Sequence, residues 1–156
     1  MKKIIVAGGA GFIGSHTCVE LFNAGYEPII LDNFDNSEKF ICKRVNQITG
    51  TEIRVEEKDC KDYSAILKAF KGDKEIEGII HFAALKAVGD SVKNPLDYYE
   101  NNLLSLINLL KLSSELEIKN FVFSSSCTVY GEPNNLPVDE SEPIKKAESP
   151  YGNTKQ

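Results

Sequence analysis

Ile4-Ile5-Val6-Ala7-Gly8-Gly9-Ala10-Gly11-Phe12-Ile13-Gly14 decides how the rest of the chain is read. Four apolar residues predict a buried strand, the glycines a turn, and the pattern from Phe12 onward a helix. A turn this tight needs a residue that tolerates unusual backbone angles. A second glycine lets the backbone approach a pyrophosphate, and a third lets helix and strand pack closely. Gly9-x-Gly11-x-x-Gly14 has that spacing, and Gly8-x-x-Gly11-x-x-Gly14 has the variant with two residues between glycines. Free N–H groups of the first helical turn, helped by the helix dipole, would then face an anion.

A glycine-rich turn alone is a weak signal, because such turns are common. Its surroundings strengthen it. Pro28-Ile29-Ile30-Leu31 reads as a second strand and ends in Asp32. That is about 20 residues past the glycines, where an acid binds the adenosine ribose hydroxyls of a dinucleotide. The plain alternative for Asp32 is a solvated strand-end acid. In this context it would repel a 2′-phosphate, which favours NAD over NADP.

The chain has 156 residues, enough for one domain with its own core. Hydrophobic content of 42% and charged content of 26% are those of an ordinary soluble globular protein. No apolar run approaches the ~18 residues that span a membrane, and the apolar start leads into the glycine turn rather than a signal-peptide cleavage site. A net charge of −5 argues against nucleic acid as the main partner. Cys18, Cys42, Cys60 and Cys127 are irregularly spaced with no CxxC, and only His16 and His81 could join them at a metal. The expectation is therefore no metal site, reduced thiols and a cytoplasmic protein.

Strand and helix patterns alternate along the chain. Strands are predicted near 2–7, 28–32, 52–57, from 76 to an end in His81-Phe82-Ala83-Ala84, and 121–123, and helices near 12–24, 38–49, 63–71 and 95–116. Ile53 and Val55 alternate, which suits an edge strand. The long helix opens with Asn94 as a cap, Pro95 at its first position and Asp97 in its first turn. Leu103, Ile107 and Leu110 are spaced to form its buried stripe. Alternation of this kind implies an α/β fold with right-handed crossovers: a doubly wound parallel sheet (Rossmann) of strand order 3-2-1-4-5, with ligands at the strands' carboxyl ends. Those ends are Gly8–Gly14, Asp32-Asn33, Asp59, Phe82–Lys86 and Ser124–Ser126, where the polar residues of interest gather.

Tyr151 and Lys155 lie four residues apart, so a helix starting near Pro150 puts them on one face. A tyrosine hydroxyl, with an unperturbed pKa near 10, is a poor base at neutral pH. A neighbouring ammonium stabilises the phenolate and lowers that pKa. Ser126 would hydrogen-bond a substrate hydroxyl while Tyr151 takes its proton and hydride leaves the same carbon. In isolation the pair is two exposed helix residues, and Ser124–Ser126 a polar loop. After a glycine fingerprint and a strand-end acid, the catalytic reading is the stronger one.

These residues resemble the extended short-chain dehydrogenases and, more narrowly, the family of UDP-galactose (UDP-glucose) 4-epimerases. The strongest likeness is His81-Phe82-Ala83-Ala84-Leu85-Lys86-Ala87-Val88-Gly89-Asp90-Ser91, followed by Asn94-Pro95-Leu96-Asp97-Tyr98-Tyr99-Glu100-Asn101-Asn102. Ser124-Ser125-Ser126-Cys127-Thr128-Val129-Tyr130-Gly131, Ser149-Pro150-Tyr151-Gly152 and Gly11-Phe12-Ile13-Gly14-Ser15-His16-Thr17 also fit. Cys127 stands where alanine is common and Ala84 where glycine is common, both small replacements.

The resemblance implies roles. Ser126, Tyr151 and Lys155 would be the catalytic set, with Lys155 also on the nicotinamide ribose. Gly8, Gly11, Phe12, Ile13 and Gly14 would meet the pyrophosphate. Asp32, Asn33, Asn36 and Ser37 would hold the adenosine, with Asp59 and Cys60 by the adenine. Phe82, Ala83, Lys86, Asn101 and Ser124 would line the nicotinamide half, and Lys86, Ser126 and Tyr151 would touch substrate. The implied reaction is reversible inversion at C4 of a UDP-hexose, with NAD retained through each cycle. Family members run to roughly twice this length, so residues 1–156 would be an incomplete NAD-binding domain, with the C-terminal substrate domain outside the chain. Such a fragment is expected to bind NAD but to be poorly active, and the complete protein to form a possible homodimer. A nucleotide-sugar 4,6-dehydratase is the nearest alternative, but it typically carries an Asp-Glu pair where Cys127-Thr128 stand. A net dehydrogenase and a non-catalytic NAD-binding module are the others.

Overall fold

Alternating side chains of the first strand, β1 (Lys3–Ala7), point to opposite faces and are buried on both. That pattern needs helices above and below the sheet, and the computed structural model, which describes all 156 residues, has them. The elements run β1, α1 (Phe12–Asn23), β2 (Glu27–Asp32), α2 (Phe40–Thr49), β3 (Arg54–Glu57), α3 (Tyr63–Phe70), β4 (Ile76–His81), α4 (Val88–Lys93), α5 (Pro95–Glu115), β5 (Asn120–Phe123), a 3-10 turn at Cys127–Tyr130, and α6 (Pro150–Asn153). All strand pairs are parallel, in the order β3-β2-β1-β4-β5.

The chain divides into two compact units. The first holds residues 1–83 and 104–123, the second 84–103 and 124–156. In the first, Ile5, Ala7, Ile29, Leu31 and Ile79 pack with Ile66 and Phe70 of α3 and Leu109 and Leu112 of α5. The intervening residues Ile4, Val6 and Ile30 pack on the other face with Cys18 of α1 and Cys42 and Val45 of α2. Each fully buried Ile or Leu contributes about 1.5–3 kcal/mol. An ionic cluster closes the amino ends of the strands: Lys3 meets Asp73 at 3.1 Å and Glu75 at 2.9 Å, and Arg54 meets Asp73 at 3.0 Å. In the second unit α4 packs with α6, and α6 with the 3-10 turn.

The strand order and the edge position of β3 agree with the sequence expectation. Two expectations are corrected. The stripe Leu103, Ile107 and Leu110 of α5 is exposed by 37–46%, not buried. The buried positions are Tyr98, Asn102, Ser105, Asn108, Leu109 and Leu112. Polar residues are tolerated there because they satisfy backbone that has no ladder partner: Asn108 donates to the carbonyls of Cys60 (3.0 Å) and Lys61 (2.8 Å). In addition, 88–93 form the short helix α4, which the sequence reading passed over. Asn94 closes that helix and donates its side-chain amide to Asp90 at 3.0 Å. No helix is long and apolar enough to cross a membrane.

Candidate active site

In the first unit the candidate residues gather at the carboxyl ends of the strands. Gly8 has φ +78, and a Cβ there would lie 2.7 Å from the Ala83 amide nitrogen. A methyl on Gly14 would run into the Gly8 carbonyl oxygen. The turn is thus packed to its limit on both flanks, and only glycine keeps helix and strand this close. Gly11 caps α1 with no side chain, so the amides of Phe12 and Ile13 are left to an outside acceptor. Both of those side chains are exposed, Phe12 by 80% and Ile13 by 59%.

Asp32 is buried, and its carboxylate organises the corner. Oδ2 accepts from the Ala10 amide at 3.0 Å. Oδ1 accepts from the Phe34 amide at 2.9 Å and the Ser37 hydroxyl at 2.8 Å. An ionised carboxylate has about four lone-pair sites, so three internal bonds leave capacity for one more donor. Asn33 braces the loop by donating to Asp35 at 2.8 Å, and Asn36 stands exposed beyond it. Asp59 accepts from the Lys61 amide at 2.8 Å. Cys60 is buried, and burial first, with the Asp59 and Asp32 charges, pushes its thiol up to about 12. It is therefore an apolar wall rather than a nucleophile. Phe82 and Ala83 continue β4, their amides donating to the Ala7 carbonyl at 2.8 and 3.0 Å.

The second unit carries the proton-transfer candidates. Ser149 caps α6 by accepting from the Gly152 amide at 3.1 Å, with Pro150 in the first turn. The helix is only four residues long, so Lys155 lies one residue past its αR cap, Thr154. The Lys155 amide donates to the Gly152 carbonyl at 3.1 Å, which carries the turn onward. The Lys155 side chain is 5% exposed, and Nζ donates to the Ser124 carbonyl at 3.0 Å. Burial pulls its ammonium below the usual lysine value. Ser125 Oγ donates to the Lys155 carbonyl at 2.9 Å, so Ser124 and Ser125 both hold the turn after α6. Ser126 Oγ accepts from Thr128 Oγ1 at 3.0 Å and Thr128 N at 3.3 Å. A hydroxyl that accepts from two donors still has its own proton to give. Tyr151 is half-buried, and Lys86 is exposed beyond β4.

Asn102 was not singled out by the sequence, yet it is the hub of this unit. Its Oδ1 accepts from the Leu85 amide (2.8 Å) and from Asn101 Nδ2 (3.1 Å). Its Nδ2 donates to the Leu85 carbonyl (3.0 Å) and to Thr154 Oγ1 (2.9 Å). It therefore ties the segment before Lys86 to the turn that carries Tyr151 and Lys155. The available signal was the spacing Tyr98, Asn102, Ser105, Leu109, Leu112, a core-facing helical row with asparagine inside it. No three His, Cys, Asp or Glu side chains converge in a way that could hold a metal.

A parallel doubly wound sheet, an uncapped helix start behind a glycine turn and a buried acid at the end of β2 define the nucleotide-binding class of α/β proteins. The chain belongs to the NAD dependent epimerase/dehydratase family, whose pattern matches residues 4–156. It is 47% identical over 161 residues to the UDP-glucose 4-epimerase of Mus musculus, covering 99% of this chain and 46% of that one. Against the UDP-glucose 4-epimerase of Bacillus subtilis it is 50% identical over 152 residues, covering 97% and 44%. The crystal structure of UDP-glucose 4-epimerase from Bifidobacterium longum in complex with NAD+ and UDP superposes with a TM-score of 0.94 at 44% identity, over 98% of this chain and 45% of that one. The chain thus spans about half the length of the relatives it matches.

Proposed function

We propose that this chain is the cofactor-binding half of a UDP-glucose 4-epimerase, which interconverts UDP-galactose and UDP-glucose with a retained NAD. The observation that carries the reading is the intact Ser126, Tyr151 and Lys155 set, with the Lys155 ammonium buried against the Ser124 carbonyl. Identities of 47% and 50% to 4-epimerases support it, as does the NAD+ and UDP held by a solved relative.

The residues present fit a dinucleotide. The uncapped start of α1, at a turn with no room for a side chain, suits a pyrophosphate. Asp32 has one free lone-pair direction for a ribose hydroxyl, which favours NAD over NADP. Asn33, Asn36, Ser37, Asp59 and Cys60 complete the adenosine side. Phe82, Ala83, Lys86, Asn101 and Ser124 serve the nicotinamide half. NAD held by these residues would supply the hydride acceptor and donor for C4 of the sugar. Tyr151 exchanges a proton with the C4 hydroxyl as the hydride moves, and Lys155 lends its charge to that exchange. Its own depressed proton affinity reflects how little water surrounds it. Ser126 donates to the C4 oxygen and orients it, while Thr128 fixes the Ser126 rotamer. Lys86 steadies the substrate at the exposed end of β4.

The activity belongs to a protein of the relatives' full length, whose second half supplies most of the sugar-nucleotide pocket. Residues 1–156 alone bind NAD and turn over little. The exposed Leu103, Ile107 and Leu110 of α5 suit a homodimer contact. Four free thiols suit a reducing cytoplasm.

Proton NMR of UDP-galactose with the full-length protein and no added NAD tests the reading. Anomeric signals of UDP-glucose are expected. A new C6 methyl signal would mean dehydratase chemistry instead, and an unchanged spectrum would reject the epimerase. Tyr151→Phe should lower turnover about 10²–10⁴-fold while NAD stays bound. A near-normal rate would remove Tyr151 from the mechanism.

A further inference from the structure

Asp32 is not the only carboxylate at the rim of the adenosine site. Glu57 is its register partner across β2 and β3, so two acids end adjacent strands side by side. Lys39, at the start of α2, reaches across to Glu57, with Nζ 2.7 Å from Oε1 and 2.6 Å from Oε2. The same ammonium lies 5.4 Å from the centre of the Phe34 ring. Phe34 is bound through its amide to Asp32, as is Ser37 through its hydroxyl two residues before Lys39. One loop therefore places a cation beside the carboxylate that addresses the ribose, and an acid on the next strand holds that cation.

Both side chains of the pair are largely exposed, Lys39 by 64% and Glu57 by 56%. An exposed ion pair adds little to stability, so its consequence lies in the field it sets at the rim. A 2′-phosphate brings close to two negative charges to the ribose carbon that Asp32 addresses. An unpaired lysine on this loop would attract that phosphate. The same lysine clamped by both oxygens of Glu57 does not.

We infer that Glu57 is a second determinant of cofactor choice: by holding Lys39 it withholds from a 2′-phosphate the cation that would receive it. Asp32 repels the phosphate, and Glu57 removes its partner. The inference rests on the reading that Asp32 faces the adenosine ribose.

Calorimetric titration of NAD and NADP into the full-length protein, freed of bound nucleotide, tests it in three variants. Asp32→Asn should lower the preference for NAD. Adding Glu57→Gln should lower it by about a further fivefold, the scale of one exposed ion pair, with the gain shrinking as salt is raised. Adding Lys39→Met to both should cancel the further gain, because the freed cation is its source. A preference that moves with Asp32→Asn but no further with Glu57→Gln would overturn the inference and leave the ribose reading standing. A gain that survives Lys39→Met would also overturn it. An unchanged preference in Asp32→Asn would overturn the ribose reading, and the inference with it.

Discussion

Single residues here are constrained by space and by charge. Gly14 is held by space: a methyl there meets the Gly8 carbonyl and lies 2.8 Å from the Gly9 Cα. Gly14→Ala should cost about 1–3 kcal/mol of overpacking and weaken NAD binding, as read by urea melts and calorimetry. A variant of wild-type stability and affinity would show that the turn yields. Lys155 is held against its own solvation. An unfolded lysine titrates near 10.5 and the folded one lower. Between the two values the unfolded chain holds more protons, so stability rises with pH, and below both the fold bears the full cost of a buried charge. Lys155→Met removes that cost together with the bond to the Ser124 carbonyl. Its stability relative to the wild type, from urea melts, should fall as pH climbs from neutral toward 10.5. A difference that is flat or grows with pH would contradict the burial argument. Asp32, Tyr151, Lys155 and the glycines were legible from sequence because each sits at a fixed offset in a local pattern. Asn102 was not, because its partners Leu85 and Thr154 meet it only after folding.

At the scale of elements, α5 shows how periodicity misleads. Two interleaved rows on one helix satisfy the same spacing rule, and the more apolar one faces outward. Leu109 is fully buried while Leu110 is 46% exposed. Leu109→Ala should cost about 2–5 kcal/mol, and Leu110→Ala, measured at a dilution that leaves single protomers, should stay within about 0.5 kcal/mol. Chemical denaturation of the pair checks the assignment, and the reverse ranking would restore the sequence reading. The inward row carries Asn102, Ser105 and Asn108 because loops and strand ends need hydrogen-bond partners that no ladder supplies. Helix α6 departs in a different way. Its Pro150 was a readable signal, but its Ser149 cap and its four-residue length came only with the structure. Lys155 is placed by the grip of Ser124 and Ser125 rather than by an extended helical face.

At the scale of the whole molecule, the two ends of the sheet have separate tasks. The carboxyl ends collect the candidate site residues, and the amino ends are fastened by charge. Burial pushes the Asp73 carboxyl up, but hydrogen bonds from Lys3 and the Glu75 amide, with the Lys3 and Arg54 charges, outweigh it and hold it below its ordinary 3.8. A depressed carboxyl contributes stability above its unfolded value and loses it as pH falls through the folded one. Asp73→Asn should therefore cost about 1.5–3 kcal/mol at pH 7, and the difference from wild type should fade below about pH 4. A difference independent of pH would mean that the cluster acts through packing alone. By itself the sequence determined the order of elements, the parallel sheet with β3 at its edge and the local motifs, since hydrophobic period, caps and glycine spacing act over a few residues. Only the tertiary structure decided which face of α5 is buried, that Asn102 joins Leu85 to Thr154, and that Glu57 holds Lys39. Those contacts join residues from 17 to 52 positions apart, and such pairings are set by the packing of distant elements rather than by any local preference.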